Sequence, residues 1–312
     1  MPRRPPPSLK TQGIQGGRRF VQTSLPELPA SALYSHPSLG RLWKKVHLAH
    51  SPFLKRSSIR NLYIHPAKTL CHLLRNKSYQ WIALGCADGM KEVLLSKKLH
   101  APDCLLAADT NLNLARQATL RIPARRKICR KVDLTQKLPV SFSTTLDRAS
   151  SNSGLKTRNL PRLITLFGVL PNLSPLPLLQ RISSFLRPRD FLLFSANLAP
   201  GSRGRTGTAR VLPQYDNLLT HRWLAGALSR LRPKWKKGSI AFGIFPDPSQ
   251  ASLSRIEARW MIDEKPTHIL FSSRRPTTRQ VEAWLKACGL SQIQRWVDPR
   301  GEEAVWLVTR KA

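Results

Sequence analysis

A glycine-rich turn at residues 85–89 holds the sequence's most informative candidates for ligand chemistry. It follows the apolar run 81–84, and a helical pattern begins directly after it at Met90. Glycine lets the backbone pass close to a ligand, and the free N–H groups at a helix start attract polar groups. The Gly-x-x-x-Gly spacing differs from the dinucleotide pattern and suits a nucleoside cofactor without a pyrophosphate, although plain turns also contain glycine. The candidate cofactor-binding residues of the turn are Gly85, Cys86, Asp88 and Gly89.

Two aspartates follow the next two apolar runs. Asp109 ends the run 104–108, where a carboxylate can accept hydrogen bonds from both ribose hydroxyl groups; capping of the next helix is its alternative role. Asp133 ends the run 128–132 and is a candidate for contact with an adenine amino group, or a solvated loop acid. A strand, a glycine turn and a helix, followed by acids at two strand ends, predict S-adenosylmethionine (SAM) as the ligand and methyl transfer as the chemistry.

Residues that contact a methyl acceptor are expected after the fourth apolar run, 163–167, because ligands gather at the carboxyl ends of parallel strands. Gly168 permits close approach to the cofactor. Asn172 can hydrogen-bond an amine or a carboxylate of the acceptor, and turn formation is its alternative role. Transfer from a sulfonium is an in-line displacement, so such residues act mainly by positioning the acceptor and excluding water.

The elements that position these residues alternate between strands and helices, which predicts an α/β fold with a mostly parallel, Rossmann-like sheet covered on both faces. The last two strands are joined by a segment containing proline and glycine, which predicts an antiparallel C-terminal hairpin at one edge. The strand candidates are 81–84, 104–108, 128–132, 163–167, 191–196, 292–297 and 304–309. The helix candidates are 89–99, 111–119, 175–186, 218–231 and 277–288.

Changes in pattern divide the chain into five regions, because the strand–helix alternation starts at residue 79 and breaks after residue 200. Beyond that break, residues 201–207 predict a flexible loop and residues 255–262 predict a half-buried strand. The five regions are a disordered basic arm (1–30), a helical N-terminal segment (31–78), a SAM-binding Rossmann-like core (79–200), an inserted cap or substrate region (201–265) and the C-terminal part of the core sheet (266–312).

Charge is the unusual feature of the composition. The 312 residues include 52 Lys and Arg against 17 Asp and Glu, a formal net charge of +35. Such a balance favours anionic partners, and nucleic acid is one possible partner. The basic residues are spread over the whole chain and no aromatic RNA-binding segment accompanies them, so a solvated basic surface is the alternative interpretation.

The cysteine pattern indicates reduced thiols in a cytoplasmic protein, because the five cysteines are odd in number and form no C-x-x-C pair. The apolar runs are too short to span a bilayer, so no membrane partner is expected. His47 and His50 lie one turn apart, but no third ligand accompanies them, and no metal is expected.

Several segments, taken in order, resemble the histidine-specific SAM-dependent methyltransferase family. That family includes the Nα-methyltransferase that makes trimethylhistidine for ergothioneine. The resemblance extends from about residue 81 to residue 308. It rests on LGCADG, AADTNLNLARQA, KVDLTQ, LFGVLPNLSP, SANLAPGS, VLPQYDN, RIEARW and WVDPRGEEAVWLV. The resemblance implies a class I methyltransferase sheet with an inserted cap.

The resemblance also implies roles for single residues. Asn172 matches the family asparagine that holds the amino-acid substrate, and Tyr215 lies in the cap segment that faces the acceptor. Both are therefore the candidate catalytic residues. One departure concerns the acceptor: 272–275 (Ser-Ser-Arg-Arg) stands where histidine-binding members carry Glu-x-Ser, so the imidazole-contacting carboxylate is missing. The residues implied to line the SAM pocket are Gly85, Asp109, Asp133 and Gly168.

The sequence therefore predicts a SAM-dependent methyltransferase that N-methylates a small amino-acid-like or amine substrate. Asp216 and Glu257 are candidate general bases, or partners of arginines. Two other functions stay open. One is an RNA methyltransferase that uses the basic surface to hold phosphates. The other is a non-catalytic protein on a degenerate methyltransferase scaffold.

Overall fold

The computed structural model describes residues 25–34, 36–75, 77–136, 138, 142, 146, 160–201, 204–231 and 237–311. Most of the predicted basic arm lies outside these residues. Its last residues, 25–30, are described and belong to an ordered segment.

Ten strands occur in the described part of the chain, and they form two sheets. The strands are β1 (Gln80–Leu84), β2 (Cys104–Asp109), β3 (Arg126–Lys131), β4 (Arg162–Leu166), β5 (Phe191–Asn197), β6 (Ser239–Asp247), β7 (Gln250–Ile262), β8 (Lys265–Arg275), β9 (Leu290–Val297) and β10 (Glu303–Arg310). Seven of them form the central sheet in the order β3-β2-β1-β4-β5-β10-β9. β1 to β5 are parallel, and β10 runs antiparallel to both β5 and β9.

This strand order and the reversed β10 are those of the Rossmann-like class I methyltransferase sheet, so the predicted fold class is confirmed. The predicted C-terminal hairpin is confirmed with it, since β9 and β10 pair along their lengths. All parallel strands before β10 end at one edge of the sheet. That edge is where an open α/β sheet binds its ligands.

Helices cover both faces of the central sheet. They are α1 (Pro37–His50), α2 (Pro52–Lys55), α3 (Ser57–Leu62), α4 (Pro66–Leu74), α5 (Met90–Ser96), α6 (Leu112–Arg121), α7 (Pro175–Phe185), α8 (Gly204–Val211), α9 (Leu218–Leu231) and α10 (Thr278–Ala287). β1 is buried throughout because its side chains alternate between the two cores: Ile82 and Leu84 contact the α7 and α10 side. Trp81 and Ala83 contact the side covered by α3 to α6.

The remaining strands, β6 to β8, form an antiparallel sheet, which we call the cap sheet. It shares a third apolar core with α9, whose Trp223 and Leu224 are buried against Phe271. The predicted boundary at residue 265 falls inside this sheet, because β8 continues to Arg275. The cap sheet and the central sheet together enclose the space above the carboxyl ends of the parallel strands.

The predicted loop at 201–207 is wrong from residue 204 onward, where α8 begins. Glycines and arginines are typical of a flexible loop, but Gly207 is required because the backbone of Pro200 lies close to it. A Cβ atom at Gly207 would lie 1.8 Å from the carbonyl oxygen of Pro200. Residues 202–203 of the predicted loop lie outside the described residues.

The ordered segment 25–34, which we call the N-terminal strap, pairs with the edge strand β8 of the cap sheet. Leu28 N–H donates to the Ile269 carbonyl at 2.9 Å, and Ile269 N–H donates to the Pro26 carbonyl at 2.9 Å. Glu27 forms an ion pair with Arg255 at 3.1 Å. β7 is buried on both faces around residues 253–258, and not half-buried as its alternating pattern predicts.

Candidate active site

A cavity of about 300 Å³ lies at the carboxyl ends of β1, β2 and β4. This volume is at the lower end of the range for small-molecule sites. The N-terminal strap forms part of one wall, and residues from α1 and the cap region form others. Eight of the nine predicted site residues line it: Gly85, Cys86, Asp88, Asp109, Asp133, Gly168, Asn172 and Tyr215.

The glycine turn is held in place from the tip of β2. Gly85 has φ +57°, and a Cβ atom there would lie 2.4 Å from Val169 Cγ2, so both the backbone and the packing require glycine. Ala87 also has a positive φ, and its N–H donates to Asp109 Oδ2 at 2.9 Å. This hydrogen bond joins the first predicted motif to the second.

Asp109 is buried at the end of β2 and lines the cavity. Burial raises the pKa of its carboxyl, and the backbone N–H groups of Asn111 and Ala87 oppose that shift by donating to the ionised form. The predicted capping role belongs to another residue: Asn111 accepts from the N–H groups of Asn113 and Leu114 at the start of α6. Asp109 therefore combines support of the turn with a position in the cavity wall.

Gly89 does not line the cavity, unlike the other predicted residues of the turn. It has φ +77° and precedes α5, and a Cβ atom there would lie 3.0 Å from both Cα and Cβ of Ala118. The glycine is thus required for close packing of α5 against α6. Gly89 was predicted to bind the cofactor; in the structure it lies outside the cavity wall, at the contact between α5 and α6.

Asp88 and Cys86, both in the glycine turn, line the cavity as a paired carboxylate and a neutral thiol. Asp88 forms ion pairs with Arg121 at 2.9 Å and Lys44 at 3.3 Å, which fix its carboxylate. Burial raises the pKa of the Cys86 thiol well above its usual value, so Cys86 is a neutral wall residue.

Asp133 stabilises the turn after β3. Its Oδ1 accepts from Thr135 N–H at 2.9 Å and from Thr135 Oγ1 at 2.7 Å. Burial acts to raise the pKa of Asp133, but hydrogen bonds from Thr135 and Ser31 and the nearby Arg181 lower it overall. The carboxylate is therefore ionised and connects the N-terminal strap to this end of the cavity.

Gly168 and its surroundings show residues that the sequence pattern did not single out. Gly168 N–H donates to Ser195 Oγ at 2.9 Å, and that hydroxyl also accepts from Tyr63 at 3.2 Å. A Cβ atom at Gly168 would lie 3.0 Å from Lys91 Nζ. Lys91 Nζ itself lies 3.6 Å from Glu303 Oε1 and lines the cavity. Lys91 follows the glycine turn by two positions, which is the one sequence signal for it.

The two predicted catalytic residues, Asn172 and Tyr215, both line the cavity. Asn172 ends a short 3-10 turn after β4. The Tyr215 hydroxyl lies 3.2 Å from Ser273 Oγ and accepts a hydrogen bond from the Arg275 guanidinium. Arg275, at the end of β8, was noted in the sequence only as part of a departure from the family pattern.

Aromatic side chains form much of the wall contributed by the N-terminal strap and α1. Tyr34 contacts Trp43 and Trp223 with ring centroids 6.1 Å and 5.4 Å away. His47 stacks on Trp43 at 5.2 Å, and burial, with the nearby Lys91, lowers the pKa of His47 to about 4. His47 is thus an uncharged wall residue at neutral pH.

The lining of the cavity reverses the charge balance of the chain. Among the described residues that line it, three are lysine or arginine: Arg56, Lys91 and Arg275. Six of the chain's 17 acids line it, Asp88, Glu92, Asp109, Asp133, Glu302 and Glu303. Such a lining favours cationic ligands over anionic ones.

The two candidate general bases lie elsewhere. Asp216 pairs with His221 at 2.7 Å, and Glu257 is buried between Arg255 and Arg259. Neither lines the cavity. Within the described ranges, no three potential metal ligands come together. No helix there has the length and apolar content to cross a bilayer.

Comparisons with known proteins found similarity in structure alone. No protein-family model and no curated protein sequence matches the chain. A S-adenosylmethionine-dependent methyltransferase from Clostridium acetobutylicum ATCC 824 matches at 12% identity and a TM-score of 0.47, covering 86% of this chain and 99% of that one. The magnesium protoporphyrin IX methyltransferase from Synechocystis PCC 6803 with bound SAH matches at 10% identity and a TM-score of 0.46, covering 89% and 97%.

The plantazolicin methyltransferase BpumL in complex with SAH matches at 11% identity and a TM-score of 0.43, covering 90% of this chain and 95% of that one. All three TM-scores lie below 0.5 and all three identities lie below 25%. They assign neither a ligand nor a reaction to this protein, and they do not distinguish the histidine-specific family from other methyltransferases.

Proposed function

We propose that this protein is a SAM-dependent methyltransferase that N-methylates a small amino-acid-like or amine substrate. The observation that carries the proposal is the buried Asp109 carboxylate, which lies in the cavity wall and hydrogen-bonds the glycine turn at Ala87 N–H. A carboxylate at the end of the second strand is where a parallel sheet of this type receives a ribose. The cavity volume and the positive-φ turn fit a nucleoside ligand.

The charge of the cavity supports the same ligand. SAM carries a sulfonium cation, and amine acceptors are cations before they lose a proton. The ionised acids of the lining, such as Asp133, favour both. The residues present therefore fit SAM at its sugar and its sulfonium.

SAM, when bound, supplies an electrophilic methyl group: the S–CH₃ bond breaks as the N–CH₃ bond forms, and the bonding electron pair stays on sulfur. The chain's own residues would then act by position. Asn172 and Tyr215 would orient the acceptor, as their place in the lining allows. Tyr34, Trp43 and His47 would exclude water from the reacting atoms.

A calorimetric titration with SAM tests the proposal. We expect wild-type protein to bind SAM, and Asp109→Asn to weaken binding about 10- to 100-fold, because a hydrogen bond to a charged group contributes roughly 1.5–3 kcal/mol. The Asn variant is preferable to Ala, since it keeps the shape of the side chain and one of the two acceptors for the N–H groups of Ala87 and Asn111. The melting temperature of the variant shows whether the fold persists.

The matched control is Asp103→Asn, at the opposite end of the same strand. Asp103 is also buried and pairs with Arg125 at 3.2 Å, far along β2 from the turn. SAM affinity should be unchanged in this variant. Absence of SAM binding by the wild-type protein at millimolar ligand would instead favour a non-catalytic scaffold.

The RNA methyltransferase alternative finds no support in the cavity. Phosphate groups that enter it would meet carboxylates such as Glu302 and Glu303, and the nearby Arg56 and Lys91 are already paired with them. An assay with labelled SAM against amino acids, small amines and RNA separates the alternatives. Label recovered in RNA alone would overturn the small-molecule proposal.

A further inference from the structure

Arg275 is a buried cation without an acidic partner among the described residues. Its relative exposure is 2%. The guanidinium contacts the Tyr215 hydroxyl and the Leu198 carbonyl oxygen, the latter at 3.4 Å, and lies 5.1 Å from the centre of the Tyr215 ring. Its Nε has no hydrogen-bond partner among the described residues. Arg275 also lines the cavity.

The other arginines buried in the cap sheet are paired. Arg274 lies 2.7 Å from Asp247, and Arg255 pairs with both Glu27 and Glu257. The other two cations of the cavity are paired as well, Lys91 with Glu303 at 3.6 Å and Arg56 with Glu302 at 2.6 Å. Arg275 forms no ion pair with a described carboxylate. A buried charge without a counter-ion is strongly unfavourable, and a ligand anion would remove that cost.

We propose that Arg275 binds a carboxylate of the methyl acceptor and thereby selects carboxylate-bearing amines over simple amines. The inference rests on the proposed function and names the substrate class of the same cavity. The neighbours of Arg275 fit this role, because Tyr215 and Ser273 add hydroxyl groups beside the guanidinium. A guanidinium binds a planar carboxylate through two parallel hydrogen bonds.

The number of charges favours a carboxylate over a phosphate. One unpaired guanidinium balances one negative charge, whereas a phosphate monoester carries about −1.5 to −2 at neutral pH. A second negative charge would meet the carboxylates of the lining without a free cation. The amine of the acceptor, in contrast, is attracted by those same carboxylates. The cavity therefore suits a small molecule with an amine at one end and a carboxylate at the other.

The test compares matched acceptors in an assay with labelled SAM. Each amino acid is assayed in parallel with its carboxamide, which keeps the amine and removes the negative charge. We expect the wild-type protein to prefer the carboxylate form by about tenfold or more in kcat/KM, as charge-assisted bidentate bonds are the strong ones. Arg275→Gln should abolish the preference mainly through KM of the carboxylate form, and Arg275→Lys should restore part of it.

The matched control is Arg279→Gln, which removes the same charge from an exposed position on α10. Its preference should equal that of the wild type. If Arg275→Gln does not fold, thermal stabilisation of SAM-saturated wild-type protein by each acid and its amide gives the same comparison.

The failures of the two proposals are distinguishable. SAM binding together with equal methylation of acids and amides, or with methylation of simple amines or RNA only, overturns the role of Arg275 and leaves a methyltransferase. Absence of SAM binding overturns the proposed function itself, and the role of Arg275 with it.

Discussion

Asp109 shows how one residue can carry both structure and ligand chemistry. Each of its oxygens accepts one backbone N–H, from Ala87 and from Asn111, at 2.9 Å. A carboxylate offers about four acceptor positions, so lone pairs are left for a ligand. The same arrangement explains why the sequence suggested two competing roles for Asp109. The capping role went to Asn111, and the position facing the cavity stayed with the acid.

Glu92 is the residue whose protonation should be visible in stability. It is 1% exposed, and burial raises the pKa of its carboxyl from 4.5 to about 7, against the opposing effect of Lys91. The folded state binds this proton more tightly than the unfolded state. The stabilisation is therefore complete below about pH 4.5 and is lost as pH rises to about 7.

The variant Glu92→Gln should remove this dependence, because the amide does not ionise. Between pH 5 and pH 8 the wild type should lose roughly 2 kcal/mol of unfolding free energy more than the variant does. Urea unfolding of both proteins at the two pH values measures the difference, and all other titrating groups cancel in it. An equal change in both proteins would show that Glu92 is ionised at both pH values.

At the scale of elements, the junction between α5 and α6 depends on Gly89. Gly89→Ala should destabilise the protein by about 3 kcal/mol, since the left-handed backbone costs roughly 1–2 kcal/mol and overpacking adds a similar amount. The overpacking arises because the added Cβ would lie 3.0 Å from Ala118 atoms. Chemical denaturation provides the measurement.

Gly289→Ala is the comparison that isolates the packing. Gly289 has φ +65°, close to that of Gly89, but a Cβ atom there would meet nothing within 4 Å. Only the backbone cost of about 1 kcal/mol should appear in this variant. Equal losses in the two variants would mean that α6 moves to accommodate the methyl group.

Strands and helices of the core were predictable because their signals are local. β1 is an unbroken buried run, and α7 begins at Pro175, where the helix candidate 175–186 begins. The helix α8 was missed because its need for Gly207 arises from a contact with Pro200, which no local pattern encodes. β7 was misread for the same kind of reason. Its Arg255 pairs with Glu27 of the strap, a segment more than 200 positions away in sequence.

The candidate site divides in the same way. Residues at the strand ends, such as Gly85 and Asp109, were predictable because the sheet topology alone brings strand ends together. Arg275 was not predictable as a site residue, because its proposed role depends on the absence of an ion pair with a described carboxylate. The sequence shows an arginine among 52 basic residues, and only the fold shows that its neighbours Arg274 and Arg255 are paired while Arg275 is not.

At the scale of the whole molecule, the chain is strongly basic but the lining of the cavity is acidic. The formal charge is +35, yet the cavity lining holds twice as many acidic side chains as lysine and arginine side chains. Repulsion among the cations opposes the compact state, and salt screens it over a Debye length that falls from roughly 30 Å at 0.01 M to about 8 Å at 0.15 M.

The melting temperature should therefore rise with NaCl over this concentration range. Calorimetry at the two ionic strengths measures the shift, and a neutral osmolyte at matched osmolality controls for effects unrelated to charge. A melting temperature that falls with salt would show that ion pairs such as Arg56–Glu302 outweigh the general repulsion.

The N-terminal strap couples the leading part of the described chain to whatever occupies the cavity. Ala30, Ser31 and Tyr34 form cavity wall, while Leu28 and Ile269 fasten the same segment to β8. A ligand that touches this wall gains contacts only while the segment is docked. By reciprocity, docking tightens the ligand by the same factor. Any change that undocks this segment would thus lower occupancy, even where the change itself lies outside the cavity wall.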